Sequence, residues 1–249
     1  MSRHLAPWPF VLGAGAASAG LAAWGAFHPA AQLFGPTLRR TSSARSIALT
    51  FDDGPNPVAT PRLLDLLDRY EAHATFFVIG RWTRACPDIV REIAARGHVL
   101  GNHTDTHPNL VWKARQRICD ELRRCQESIE DAAGIRPTLF RPPFGFRGPQ
   151  LTAAAKASGL HHVVMWTVIG HDWDGRPAAR LGHQLARVSE RDILVLHDGS
   201  HQALGADREE TLKALGEWLP RWRDAGLRAV GIDDTQCAPA LVTKGQSGS

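Results

Sequence analysis

"IALTFDDGP", residues 47–55, decides how the chain is read. A short apolar run with a β-branched and an aromatic residue is the pattern of a strand buried on both faces, and Gly54 and Pro55 break regular structure straight after it. Asp52 and Asp53 therefore stand side by side at the end of a buried strand. Burial of charge is costly unless the charge is paired or bound to a metal, so these carboxylates need partners. Successive residues of an extended strand point to opposite sides. On that ground Asp52 and Asp53 cannot both face one ion, and the two are expected to differ in role. Taken alone, the pair also fits a turn or a helix cap.

Working outward, the same kind of run recurs between amphipathic stretches. Seven strands are predicted: 47–53, 74–80, 98–103, 138–143, 161–168, 192–198 and 228–232. Between them lie helical patterns such as "TPRLLDLLDRYEA", with Pro61 suited to a first turn, and "KARQRICDELRRCQESIEDAAG", closed by Gly134. Such alternation predicts an α/β fold with a mainly parallel sheet, doubly wound or closed as a barrel. A polar linker, "RRTSSARS", precedes the first strand, and "PALVTKGQSGS" reads as a tail. The expected division is an N-terminal hydrophobic segment over 1–40, a catalytic domain over 41–235 and a tail over 236–249.

The 249 residues, 43% hydrophobic and 22% charged, suit a globular domain with one sizeable core. A net charge of +4 is spread along the chain with no dense Lys/Arg block, which argues against a nucleic-acid partner. Cys86, Cys119, Cys125 and Cys237 form no CxxC pair. Cys119 and Cys125 do not share a helix face, so a disulfide between them is not expected. Residues 5–38 contain no Asp, Glu, Lys or Arg. That run is long enough to cross a bilayer, for which roughly 20 residues suffice, yet it is rich in Ala and Gly. An export signal or a membrane anchor is the favoured reading, which places the protein at the cell envelope rather than in the soluble cytoplasm, and a loosely packed helix is the alternative. Arg39, Arg40 and Arg45 outnumber Arg3 and the N-terminal amine, and this favours a cytoplasmic catalytic domain, against export.

In parallel α/β folds the functional groups gather at the carboxyl ends of the strands, and the unusual polar residues here obey that rule. In "HTDTH", His103 and His107 are four apart, which on one face of a helical turn suits a single metal ion. An aspartate from another strand end would complete a His₂Asp site with room for water and substrate. A carboxylate beside such a site can act as general base. "RPPFG", 141–145, offers a cation for the base carboxylate and a rigid loop whose N–H groups can meet an oxyanion. His197 in "VLHDG" is a candidate general acid, and "HDWD", 171–174, supplies a carboxylate to orient it and an indole to stack on a sugar.

Together "TFDDGP", "HTDTH", "RPPFG", "HDWD" and "LVLHD" resemble, in order, the motifs of the polysaccharide deacetylases of the NodB-homology type, carbohydrate esterase family 4. The resemblance spans residues 45–233 and implies a distorted (β/α) barrel of about seven parallel strands. It implies Asp52 as base, and Asp53, His103 and His107 as ligands of a divalent metal, zinc first, with cobalt, nickel or manganese as alternatives. Arg141 would position Asp52, the Phe144 N–H would face the oxyanion, and Asp172 would orient the acid His197. Trp173 and Leu196 would shape the acetyl and sugar pocket. The implied reaction removes an N-acetyl group from an N-acetylhexosamine glycan of the cell envelope. Two departures stand out: Phe144 where tyrosine is common, and Asp105, expected to add negative charge near the ion or substrate. A lipid-linked sugar or small amide is the alternative substrate, and would reconcile the apolar segment with a cytoplasmic site. A non-catalytic glycan-binding module is a third reading, which the complete set of acid, base and metal positions opposes.

Overall fold

The computed structural model describes residues 8–175 and 177–232, with backbone alone for 8–17. In chain order the elements are α1 (Trp8–Phe27), β1 (Ser46–Gly54), α2 (Ala59–Arg69), β2 (Thr75–Val78), α3 (Gly80–Ala85), α4 (Pro87–Ala95), β3 (Val99–Asn102), α5 (Arg115–Ala133), β4 (Leu139–Phe140), α6 (Leu151–Ala157), β5 (His162–Val163), β6 (Val168–Ile169), α7 (Ala178–Leu185), β7 (Ile193–His197), α8 (Glu209–Asp224) and β8 (Arg228–Val230). The tail over 236–249 and Cys237 lie outside the described residues.

β1 is buried along its whole length, as a strand covered on both faces must be. Ile47, Leu49 and Phe51 pack with Leu63, Leu64 and Leu67 of α2 and Leu215, Leu219 and Trp222 of α8. Ala48 turns the other way and meets Phe77, Leu139, Val164, Ile193 and Ile232 inside the curl of the sheet. Burying each large apolar side chain contributes about 2–3 kcal/mol, so β1 is the element that joins the two cores. α5 explains its own placement: Ile118, Leu122, Cys125 and Ile129 recur every three or four residues and are all buried. It stops at Gly134, whose φ of 68° is left-handed and open to glycine without the clash a Cβ brings.

The strands pair in parallel in the order β5-β4-β3-β2-β1-β7-β6, and β8 pairs with the first residues of β1. β5 and β6 stand at opposite ends of that order, although only residues 164–167 separate them. The sheet must therefore curl round on itself, and it forms the distorted barrel expected. The strand predicted over 161–168 is in fact these two. No Gly or Pro breaks the run, but the backbone leaves one edge of the sheet after Val163 and joins the other at Val168. A second difference is α3, a two-turn helix directly after β2 that periodicity over so few residues does not reveal.

The N-terminal segment packs on the barrel from its last helical turn onward. The Phe27 and Phe146 rings meet edge to face at 4.8 Å. Buried Arg147 donates to the carbonyls of His28 and Ala31. Leu38 bridges to Val164 in parallel, through Leu38 N–H to Val163 O and Met165 N–H to Leu38 O. Residues 26–38 are thus tied to the catalytic body rather than standing off it. Among the described residues no helix is long and apolar enough to cross a membrane. Cys86, Cys119 and Cys125 are free thiols, as expected for the pair in α5.

His98, which leads into β3, gives the fold a pH dependence away from the site. It is buried beside Phe76 and His73, its Nδ1 accepts from Ala74 N–H, and its Nε2 has no partner. Burial, seconded by His73 and by Arg96 against the opposing Asp68, lowers its pKa to about 4. The unfolded chain takes up this proton near pH 6.5, and the folded chain resists it. The contribution is therefore complete above about pH 6.5 and is lost as pH falls toward about 4. The urea-midpoint difference between wild type and His98→Gln should be level above about pH 6.5 and should change as pH falls from there toward about 4, wild type losing stability relative to the variant; a difference that stays constant across that range would contradict this.

Candidate active site

The carboxyl ends of the strands collect the polar residues as the sequence predicts. Asp52 and Asp53 end β1, His103 follows β3, Arg141 follows β4, Asp172 follows β6 and His197 ends β7. They surround a cavity of about 420 Å³ lined by Asp52, Asp53, His103, His107, Trp173 and His197 among others.

The two aspartates do not alternate as a regular strand would have them. The β1–β2 register slips between Asp52 and Gly54, and Asp53 has a left-handed φ of 70°. This bulge turns both carboxylates into the same cavity, in keeping with the use of bulges to re-aim side chains beside active sites. The alternation argument therefore fails at this residue, while the separation of environments it anticipated is present.

His103 and His107 come together by a different route from the helical turn expected. Residues 103–107 form an irregular loop in which Thr104 and His107 have φ of 68° and 60°. Asn102 Oδ1 accepts from Thr104 N–H at 2.8 Å, and Thr104 Oγ1 accepts from His107 N–H at 3.0 Å. Local side-chain hydrogen bonds of this kind compete with helix formation, and here they win. The imidazoles lie 5.0 Å apart between centroids. His107 Nε2 and His103 Nε2 are 3.3 and 3.6 Å from Asp53 Oδ1.

Asp53, His103 and His107 each offer one ligand atom, all within 4.8 Å of one another. Asp53 Oδ1 is buried with no hydrogen-bond partner, and a buried orphan oxygen facing two imidazoles suits a cation. His103 Nδ1 lies 2.7 Å from the Arg141 carbonyl, which leaves Nε2 for a ligand, as backbone partners do at metal-binding histidines. Burial, then His103, lowers His107 to about 3 and keeps it neutral. Burial opposes ionisation of Asp53, but the hydrogen bond from His201 and the neighbouring histidines hold it well below the usual carboxylate range. The donor set fits a divalent cation.

Asp52 has different company. Arg141, completely buried, donates from Nη1 to Asp52 Oδ1 at 2.7 Å and to Thr50 Oγ1 at 2.8 Å. Its guanidinium also lies 4.2 Å over the Phe77 ring. Phe77 in turn occupies the space where a side chain on Gly101 would stand, so only glycine fits there. Burial pushes the Arg141 pKa down and the Asp52 charge opposes this. One carboxylate thus belongs to the Asp/His/His cluster while its neighbour is held by a buried cation.

Across the cavity, Asp172 Oδ1 sits 2.7 Å from His197 Nδ1, and Asp172 Oδ2 accepts from the His197 N–H and from Thr211 Oγ1, both at 2.9 Å. Burial works against the charged imidazole, but the Asp172 charge and hydrogen bond outweigh it and raise His197 to about 9. Trp173 meets the His197 ring at 5.3 Å and is half exposed at the mouth. Phe144 sits in the tight turn Pro143–Gly145 with a φ of 60°, its ring 4.6 Å from His107.

Two expected positions are corrected. Leu196 is fully buried in the core between sheet and helices, on the face of β7 away from the cavity. Strand alternation gives that lining place to Val195, which borders the cavity with His197. Asp105 turns away from the site and is paired at 2.7 Å with Arg84 of α3. Sequence reasoning missed His201, whose Nδ1 is 3.4 Å from Asp53 Oδ2 and whose ring stacks on His107 at 4.3 Å. The available signal was "HDGSH", a second pair of histidines four apart.

The class emerges from fold and site together. The curled sheet superposes on the family 4 carbohydrate esterase from Streptomyces lividans, solved in complex with acetate, with a TM-score of 0.67 and 29% identity over 74% of this chain and 91% of that one. The chain belongs to the polysaccharide deacetylase family, whose profile matches residues 39–163, and is an enzyme of the carbohydrate deacetylase class. It is 34% identical over 196 residues to a peptidoglycan-N-acetylglucosamine deacetylase of Bacillus cereus, covering 78% of this chain and 89% of the relative. It is 36% identical over 198 residues to a chitooligosaccharide deacetylase of Sinorhizobium fredii, covering 76% and 90%.

Proposed function

We propose that this enzyme hydrolyses the N-acetyl group of an N-acetylhexosamine glycan of the cell envelope, with Asp52 as general base and His197 as general acid. The observation that carries this reading is the pair of opposed, differently partnered groups in one cavity: Asp52 on Arg141, and His197 on Asp172, with the Asp53/His103/His107 cluster on the same rim. Asp53, His103 and His107 would hold a divalent cation, zinc before cobalt, nickel or manganese. When bound, such a cation polarises the acetyl carbonyl and lowers the pKa of the attacking water toward about 7.

The chain's own groups account for the proton movements. Asp52, fixed by Arg141, takes a proton from water as the water oxygen attacks the acetyl carbon. The Phe144 N–H donates to the developing oxyanion. His197, protonated at neutral pH by virtue of Asp172, gives its proton to the amide nitrogen as the C–N bond breaks. Acetate and a free amine leave. Trp173, exposed beside His197, offers its ring face to the sugar.

The relatives support this choice of substrate: one is a peptidoglycan-N-acetylglucosamine deacetylase and another a chitooligosaccharide deacetylase. A lipid-linked amino sugar is the second reading. It is favoured by the exposed Leu21, Trp24 and Phe27 of α1, the last of which reaches the site through the Phe27–Phe146–Phe144 ring contacts. Acetate release by metal-reconstituted enzyme from peptidoglycan, chitooligosaccharides and lipid-linked N-acetylated sugars separates the two. The polymer or oligomer arm should react fastest, and turnover confined to the lipid-linked arm would overturn the first reading.

A further inference from the structure

We propose that His201 is a positioning residue of the cation site, holding Asp53 and His107 so that the Asp53 Oδ1 and His107 Nε2 atoms converge. This deepens the cation-site reading given above and rests on it. The ligand atoms that converge belong to Asp53, His103 and His107, and His201 instead turns its Nδ1 to the other oxygen of Asp53. Its Nδ1 faces Asp53 Oδ2 at 3.4 Å, at the long end of hydrogen bonding, while Asp53 Oδ1 faces both histidines with no partner of its own. An ionised carboxylate only accepts, so Nδ1–H is the donor. With one oxygen held, the other is presented in one direction. The near-parallel stack on His107, 20° between planes, fixes the second ring, and the Phe144 edge meets His201 at 5.5 Å.

The surroundings are built to hold His201 in place. Gly199 lies against the Asp53 backbone, where any side chain would collide with the Asp53 carbonyl. Arg208 Nε donates to the Gly199 carbonyl at 3.0 Å, Trp82 Nε1 donates to the Ser200 carbonyl at 3.0 Å, and the Arg81 guanidinium donates to the His201 carbonyl. Arg81 and Trp82 belong to α3, and the first N–H groups of that helix donate to the carbonyls of Thr104 and Asp105. One short helix therefore ties the loop carrying His103 and His107 to the loop carrying His201. Removing a partner that orients a metal ligand costs about 10- to 100-fold in metal affinity.

The test is the zinc dissociation constant, by chelator competition, for wild type, His201→Ala and His201→Asn, with the cobalt absorption spectrum as a second readout of ligand geometry. Asn can place an N–H where the Nδ1–H stands. His201→Ala should bind zinc about 10- to 100-fold more weakly with an altered cobalt spectrum, and His201→Asn, which restores the N–H but not the stacked ring, should recover part of that loss. Wild-type affinity in His201→Ala, or His201→Asn as weak as His201→Ala, overturns the role assigned to His201 and leaves the cation site standing. A wild-type chain that takes up neither zinc nor cobalt overturns the cation site itself.

Discussion

Asp52→Asn should lower kcat for deacetylation by about 10³-fold, within the range general-base groups contribute, while metal content stays at the wild-type level. Asparagine keeps the shape of the side chain and can still accept from Arg141 Nη1, which stands 2.7 Å from Asp52 Oδ1. It cannot take a proton from water. The substitution also leaves Arg141 buried without its counter-charge, at a cost of about 3–5 kcal/mol, softened by the Thr50 and Val164 acceptors that remain. Activity must therefore be measured below the melting transition of the variant. Metal content distinguishes base from ligand, because the free oxygen of Asp52 is 3.9 Å from His103 Nε2, farther than either Asp53 contact. Retention of more than about a tenth of wild-type kcat would remove Asp52 from the role of base.

His103→Ala should abolish both metal uptake and turnover. The variant deletes one of three converging ligand atoms, so the loss of affinity should exceed the roughly 100-fold that outer partners carry. It also removes the contact between His103 Nδ1 and the Arg141 carbonyl, and with it one tie between the histidine loop and the "RPPFG" loop. Elemental analysis after dialysis and acetate release should fall together. The contrast with Asp52→Asn is the informative part: one variant is inactive with metal, the other inactive without it. Stoichiometric metal in His103→Ala would contradict the ligand set.

Much of this was legible in the sequence because the signals were strong and local. β1 announced itself by a short, mostly apolar run ended by Gly54 and Pro55, α5 by its heptad-like spacing and closing glycine, and the polar residues by their places after strands. What escaped depended on backbone geometry or on distant partners. The bulge at Asp53 and the left-handed Thr104 and His107 override the strand and helix periods on which the local reasoning relied. The run over 161–168 hid two strands because no turn residue interrupts the segment that crosses from edge to edge of the curled sheet. Leu196 and Val195 differ only in which face of β7 they occupy, and an all-apolar strand gives no alternation to tell them apart. Asp105 found Arg84 on α3, a helix too short to be foreseen. His201 reaches Asp53 across 148 positions of sequence, a pairing that only the closed barrel creates.

The central claim, hydrolysis of an acetamide rather than of a glycosidic bond, is tested most directly by mass spectrometry of a short N-acetylglucosamine oligomer incubated with zinc-loaded enzyme. The account predicts loss of acetyl groups matched one for one by free acetate and new amines, with the number of sugar units unchanged. Oligomers shortened with their acetyl groups intact, or left untouched together with peptidoglycan by folded, zinc-loaded enzyme, would contradict it.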